Sequence, residues 1–250
     1  MKAMIFAAGL GTRLKPLTDS MPKALVPIAG KTLLQHNLER LASQGFTDIV
    51  INIHHFSDQI RQFLRENDNF GLNIMLSDES AELLDTGGGI KNAEEWLSDE
   101  PFLVHNVDIL SNADLAGLYV KHCQNNSLAT LLVSERNTSR YLLFDDEMRL
   151  KGWINRASGE TKSPFSEFRA EEYLPFAFSG IHVISPDIFH SMHNYPSRFP
   201  IMDFYLNEAK NHPIQGVVAQ NLTMVDVGKI DSLQEVETIF EKEIKPIYPS

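Results

Sequence analysis

Strand-like and helix-like patterns alternate through the first half of this sequence, and that alternation leaves few folds open. Residues 4–7 read as a strand. Residues 32–44 read as a helix, with Leu34, Leu38 and Leu41 on one face and Gly45 placed to end it. A β-branched strand at 48–52 precedes a helix at 58–67 and a strand at 73–76. A helix at 90–97, a strand at 102–107, a helix at 114–124 and a strand at 128–135 follow. Such alternation predicts an α/β fold, Rossmann-like, with a mixed but mainly parallel sheet and helices on both faces. Ligands of such sheets bind beyond the carboxyl tips of the strands.

The second half changes character. Residues 141–144 and 150–154 flank the acidic turn Asp145-Asp146-Glu147 and read as a hairpin. Strands are expected at 176–184 and 214–218, a polar loop over the site at 157–172, and a closing helix at 231–243 with Leu233, Val236 and Phe240 on one face. There is no internal repeat and no low-complexity linker, so residues 1–250 are expected to form one domain with halves 1–136 and 137–250.

With 43% hydrophobic and 22% charged residues, the composition is that of a soluble globular chain. The first apolar run is too short for a secretory leader, and no run reaches the ~20 apolar residues of a membrane span. A formal net charge of −11 opposes nucleic acid and anionic lipid as partners. The one cysteine, Cys123, excludes an internal disulfide and a Cys-based metal cluster, and reads as a packed thiol. A cytoplasmic location is expected. On so acidic a protein, a phosphorylated ligand has to be neutralised locally.

The segment from Ala7 to Thr18 can do so. Glycines after a first parallel strand let the backbone approach a ligand, and successive N–H groups in such a turn form a nest for phosphate oxygens. Ala8, Gly9, Gly11 and Thr12 supply that turn. Gly30-Lys31-Thr32 lacks the upstream glycine of a Walker loop, and Leu14 stands where a dinucleotide fingerprint needs its third glycine. A nicotinamide dehydrogenase is therefore disfavoured. Arg13 offers a planar fork suited to a polyphosphate, and Lys23 a point charge on another stem. Pro16 and Pro22 stiffen the loop between them. The plain alternative is a solvated basic loop.

Two aspartates end apolar runs, Asp108 in His105-Asn106-Val107-Asp108 and Asp226 in Met224-Val225-Asp226-Val227-Gly228. Either alone is an ordinary turn former. Together with a phosphate loop they suit Mg²⁺, which takes one or two carboxylates plus substrate phosphates. A second glycine cluster, Asp85-Thr86-Gly87-Gly88-Gly89, leaves room for a flat ring, with Thr86 placed to cap the following helix. His54 and His55 are adjacent on an extended segment, so their side chains diverge and do not pair on a metal. His182, His190 and His193 lack ligand spacing.

Gly9-Leu10-Gly11-Thr12-Arg13-Leu14-Lys15-Pro16-Leu17-Thr18, continued by Pro22-Lys23-Ala24-Leu25-Val26-Pro27-Ile28, resembles the signature of sugar-1-phosphate nucleotidyltransferases. The resemblance is closest to short members without a C-terminal β-helix, the N-acetylmuramate-1-phosphate uridylyltransferases and the mannose- or heptose-1-phosphate guanylyltransferases. It implies the nucleotide-diphospho-sugar transferase type of fold, with a nucleotide-binding half (1–136) and a sugar-binding half (137–250). It implies transfer of a nucleotidyl group from a nucleoside triphosphate to a sugar 1-phosphate with release of pyrophosphate. UTP and N-acetylmuramate 1-phosphate are the favoured pair, in a monomer or small homo-oligomer. A non-catalytic nucleotide-sugar sensor is the rival from another class.

Residue by residue, the resemblance implies nucleotide contacts from Ala8, Gly9, Gly11, Thr12, Arg13, Lys23, Leu83 and Gly88, with Arg13 and Lys23 catalytic. It implies Mg²⁺ on Asp108 and Asp226. The strand Phe176-Ala177-Phe178-Ser179-Gly180-Ile181 resembles a sugar-side strand of the uridylyltransferases, which implies sugar contacts from Ser179 and Gly180, joined by Asn106 and Asp226. The chain departs from the family pattern at Val107, where glycine is frequent, at Asp85, where glutamate is, and at Lys229, where threonine is. It also lacks the Glu-Lys-Pro motif that holds the sugar phosphate in many relatives. Trp153-Ile154-Asn155-Arg156 and Lys162 stand in that region, with Asn155 and Arg156 as candidate contacts.

Overall fold

The computed structural model describes residues 1–228 and 233–247. The expectations for Lys229 and for a helix start at Asp231 fall outside the described residues. The strands are β1 (Lys2–Phe6), β2 (Pro27–Ile28), β3 (Lys31–Thr32), β4 (Asp48–Ile53), β5 (Asn73–Asp78), β6 (Phe102–Asn106) and β7 (Ile109–Ser111). The second half adds β8 (Ala129–Ser134), β9 (Arg140–Phe144), β10 (Leu150–Asn155), β11 (Glu160–Lys162), β12 (Leu174–Ile184), β13 (Ile214–Val218) and β14 (Met224–Asp226). The helices are α1 (Leu33–Ser43), α2 (Ser57–Glu66), α3 (Asp85–Asn92), α4 (Glu94–Leu97), α5 (Leu115–Gln124), α6 (Ile188–Met192), α7 (Ile201–Glu208) and α8 (Leu233–Ile239).

Ten strands form one sheet along the path β11-β10-β9-β12-β6-β1-β4-β5, with β8 on β12 and β13 on β8. Pairing is parallel among β6, β1, β4 and β5 and between β8 and β13, and antiparallel around β12 and through β9, β10 and β11. This is the mixed, mainly parallel central sheet expected. Side-chain alternation sends β-strand residues to two cores. Ile5, Ile49, Ile51 and Leu103 pack with Leu38 and Leu41 of α1, Leu64 of α2 and Leu118 of α5. Met4, Val50, Phe102 and Val104 pack on the other face with Ile90 of α3, Phe189 of α6 and Phe204 of α7. The Thr32 side chain caps α1 by accepting from the Gln35 N–H at 3.1 Å, and Gly45 ends that turn with φ +83°.

Register places the site. Phe6 stands level with Asn52 of β4 and Asn106 of β6, so the loops that follow three neighbouring strands leave the sheet from one row. Three local expectations need correction. Residues 157–172 do not form a loop over that row: Glu160–Lys162 pair with Trp153–Asn155 as an edge strand. The helix expected at 90–97 begins at Asp85, because tertiary packing overrides the poor helix propensity of three glycines. Cys123 is exposed on α5 rather than packed, and its thiol is shifted up by the crowding around it and by Glu100.

Candidate active site

A cleft of about 490 Å³ lies above the row of strand tips, lined by Ala8, Gly9, Gly11, Thr12, Arg13, Lys23, Leu83, Asn106 and Asp108. Thus most of the residues expected at the nucleotide converge. The loop after β1 is held from below. Gly11 is left-handed at φ +63°, and its carbonyl accepts from the Leu14 N–H and the Thr18 hydroxyl, each at 2.9 Å. A methyl group on Gly11 would stand 2.9 Å from Thr18 Cγ2, so only glycine fits this turn. Among the described residues, no protein group accepts from the N–H groups of Gly9, Leu10, Gly11 or Thr12. Four successive donors without protein partners on a cleft wall are available to an anion as a nest.

The cations and carboxylates face one another at the other wall. Lys23 is only 8% exposed, and its Nζ donates to Asp108 Oδ2. Asp226 arrives on β14, which pairs antiparallel with β7 so that Asp226 lies opposite Ile109. The Val227 N–H then donates to the Asp108 carbonyl at 2.9 Å, which binds the two aspartate loops together. A methyl group on Gly228 would stand 2.8 Å from Asp226 Oδ1 and 3.3 Å from both terminal nitrogens of Arg13. Although solvent reaches Asp226, the crowding protein raises its carboxyl above the usual range, and Asp108 adds to that. Lys23, Arg13 and Arg136 pull the other way.

Two carboxylates that repel each other, flanked by cations, with Asp108 on the cleft wall and Asp226 beside it, fit a hard divalent ion that completes its shell with phosphate oxygens and water. Among the described residues no cluster of three or more His, Cys, Asp or Glu could hold a metal by itself, and His54 is engaged, its ring Nδ1 donating to the Glu79 carbonyl at 2.7 Å. His105, next to the site on β6, is fully enclosed, and burial lowers its pKa to about 4, so it is neutral there at neutral pH.

Asp226, which lies beside Asp108, and Ser179, Gly180, Asn155 and Gly88 are expected contacts that are not among the residues lining the cleft. The Ser179 hydroxyl is buried and donates to the Leu132 carbonyl at 2.7 Å. Gly180 packs against Asn106, where a methyl group would stand 2.8 Å from Nδ2. The Asn155 side chain accepts from the Ala157 N–H at 3.0 Å and shapes its own turn. Gly88 gives no room to a flat ring, because a methyl group there would stand 2.1 Å from the Ser197 carbonyl oxygen. The Gly87 and Gly88 N–H groups both donate to the Phe199 carbonyl, at 2.9 and 3.3 Å. The triple glycine is thus the seat of a strap formed by residues 197–199. Thr86 accepts from the Ile201 N–H at 2.9 Å and so caps α7, not its own helix.

The strap brings Arg198 to the cleft, and Asn52 and Glu79 join it from the ends of β4 and β5. The sequence reading missed all three. Asn52 Oδ1 accepts from Ala7 N–H at 2.7 Å and Ala8 N–H at 3.3 Å, while its Nδ2 donates to Glu79 Oε1 at 2.7 Å. Glu79 Oε2 accepts from the Leu84 N–H at 3.1 Å. One buried relay therefore ties the glycine loop to the base of α3. Burial raises the Glu79 carboxyl. Both its oxygens must accept, and Asn52 cannot turn round without losing Ala7. Glu79→Gln puts an NH₂ group against a donor, so it is expected to lower stability by about 1–3 kcal/mol. The check is a lower urea midpoint at unchanged m-value.

A family model for nucleotidyl transferases matches residues 2–243. The chain is 33% identical over 226 residues to the N-acetylmuramate alpha-1-phosphate uridylyltransferase of Caulobacter vibrioides, covering 89% of this chain and 90% of that protein. It is 39% identical over 138 residues to the mannose-1-phosphate guanyltransferase of Gibberella zeae, 54% of this chain and 38% of that one. UDP-glucose pyrophosphorylase from Acinetobacter baumanii shares the fold, with a TM-score of 0.77 at 14% identity over 97% of this chain and 95% of that one. The family match takes in the glycine loop, both aspartates and both halves of the sheet, and the chain belongs to the nucleotidyl transferase family.

Proposed function

We propose that this protein joins a sugar 1-phosphate to the nucleotidyl group of a nucleoside triphosphate, releasing pyrophosphate, with UTP and N-acetylmuramate 1-phosphate as its substrates in the cytoplasm. The observation that carries the reaction is the nest of free N–H groups at Gly9–Thr12 facing the Lys23–Asp108 pair across one cleft. The near full-length likeness to a uridylyltransferase favours the substrate pair.

An anionic oxygen of the sugar phosphate attacks the α-phosphorus in line. A new P–O bond forms there as the bond from that phosphorus to the bridging β-oxygen breaks, and pyrophosphate leaves with the bonding pair. No protein nucleophile and no proton transfer is required. The nest and Arg13 hold the leaving phosphates, while Lys23 neutralises charge at the α-phosphate. Asn52 and Glu79 keep the nest at a fixed distance from α3, so geometry is set before substrate arrives. Mg²⁺ on Asp108 and Asp226, when bound, would supply Lewis-acid neutralisation of the phosphate oxygens.

The reading is tested by pyrophosphate release across a matrix of the four ribonucleoside triphosphates and dTTP against sugar 1-phosphates, with Mg²⁺ and with chelator. The UTP and N-acetylmuramate 1-phosphate well is expected to be fastest, and silent with chelator. The partial likeness to a mannose-1-phosphate guanyltransferase supports a second reading, and a fastest well with GTP and mannose or heptose 1-phosphate would establish it. Silence in every well, with nucleotide-sugar bound, would mean a sensor. Arg13, Lys23, Asp108 and Asp226 are all present, which argues for turnover.

A further inference from the structure

A second cavity, of about 350 Å³, lies between β9, β10 and α7. Its wall carries Arg136, Arg140 and Lys162 with the aromatic rings of Tyr141, Trp153 and Phe178. Among the described residues only one acid, Asp203, shares it, and that carboxylate pairs with Lys162 at 3.2 Å. Among the described residues no carboxylate pairs with Arg136 or Arg140. Arg136 donates only to the Phe178 carbonyl, at 3.0 Å. Arg156 adds a further cation by stacking 4.5 Å over the Tyr141 ring. On a chain of net charge −11, two guanidinium groups here face one cavity with no described carboxylate paired to either. Such a concentration of positive charge on an acidic protein selects an anionic ligand.

The cavity adjoins the catalytic cleft through β12. Phe178, which holds Arg136, is followed closely by Gly180, packed on Asn106 of the cleft wall. The charge of Arg136 also acts on Asp226.

We propose that this cavity takes the end of the acceptor remote from its phosphate, and that the acceptor carries a second anionic group, a carboxylate, held by Arg136 and Arg140. This rests on the sugar-phosphate acceptor proposed above, and it assigns the residues that read the acid. Two planar guanidinium groups suit a carboxylate, and the neighbouring rings suit the apolar face of a sugar.

The test compares N-acetylmuramate 1-phosphate with N-acetylglucosamine 1-phosphate, which lacks the 3-O-lactyl group that carries the carboxylate. Wild type, Arg140→Gln and Arg136→Gln are assayed for kcat/KM of pyrophosphate release with UTP and Mg²⁺. Loss of one charge-assisted contact is worth about tenfold to a hundredfold. The ratio of acidic to neutral acceptor is therefore expected to fall at least tenfold in each variant, carried by KM. A ratio within twofold of wild type would overturn the proposal. If wild type turns over neither sugar, the reaction reading fails separately, and the cavity is judged by calorimetry with free N-acetylmuramate and N-acetylglucosamine. Preferential binding of the acid, lost in Arg140→Gln, supports the carboxylate site; equal binding of both sugars, or none, overturns it.

Discussion

Lys23→Ala is expected to lower kcat by about 10²–10³-fold, the size of effect seen when one preorganised charge or donor is removed from a developing phosphate or oxyanion. Lys23 is nearly buried, so its charge acts through protein rather than through bulk water. It also neutralises Asp108 directly. Without it, Asp108 and Asp226 face an incoming phosphate with Arg13 as the nearest remaining cation. The fold is expected to survive, because alanine keeps the Cβ that packs on Gly11. Lys23→Arg is not expected to restore the rate, since a planar fork does not replace a compact ammonium in a space this small. Steady-state pyrophosphate release with far-UV circular dichroism decides the matter. A folded Lys23→Ala protein within tenfold of the wild-type rate would remove Lys23 from the chemistry.

Gly88→Ala is expected to lower stability by about 3 kcal/mol and raise the KM for substrate about tenfold or more, though position 88 does not line the cleft. The added methyl would stand 2.1 Å from a backbone oxygen, that of Ser197, which no rotamer change can move. Relief requires the strap to lift, which breaks the bonds from Gly87 and Gly88 to the Phe199 carbonyl and carries Arg198 out of the cleft. Phe199, Tyr195 and Phe204 pack on one another beneath the strap, so the disturbance reaches the core. Thermal unfolding and substrate titration give both numbers. Unchanged melting with unchanged KM would show that the strap is not held by this contact.

What the sequence made legible is what short-range chemistry determines. The glycine loop and Asp108 directly follow strand tips, which alternation alone reveals, and Arg13 and Lys23 stand out by residue type in the loop that follows. The place of Ser179, buried against the Leu132 carbonyl, follows from an irregular pairing. The pairing of β12 with β8 shifts register between Phe178 and His182, and Gly180 takes φ +77° there. Four steps along β12 match two along β8 there, so the alternation is interrupted locally, and a period-two pattern gives no sign of it. Arg198 was missed because its place depends on a strap meeting α3 from more than a hundred residues away in sequence. A signal did exist. Three glycines inside a helix are unfavourable alone, so something must pack against them. Asn52 and Glu79 ended strands as visibly as Asp108 did, but neither carries a motif. Only the buried geometry reveals that Asn52 holds the chain before the glycine loop while Glu79 links it to the base of α3.

The antiparallel pairing of β14 with β7 has a consequence in time. The nest and Asp108 come from the early chain, whereas Asp226 joins them only when the late strand β14 docks on β7. Closing a loop of that length is entropically slower than forming the local turns around Gly11. Asp226 is therefore the part of the site that depends on the longest-range pairing, and loosening β14 from β7 would take the second carboxylate away while the Gly11 turn stays closed on its own bonds.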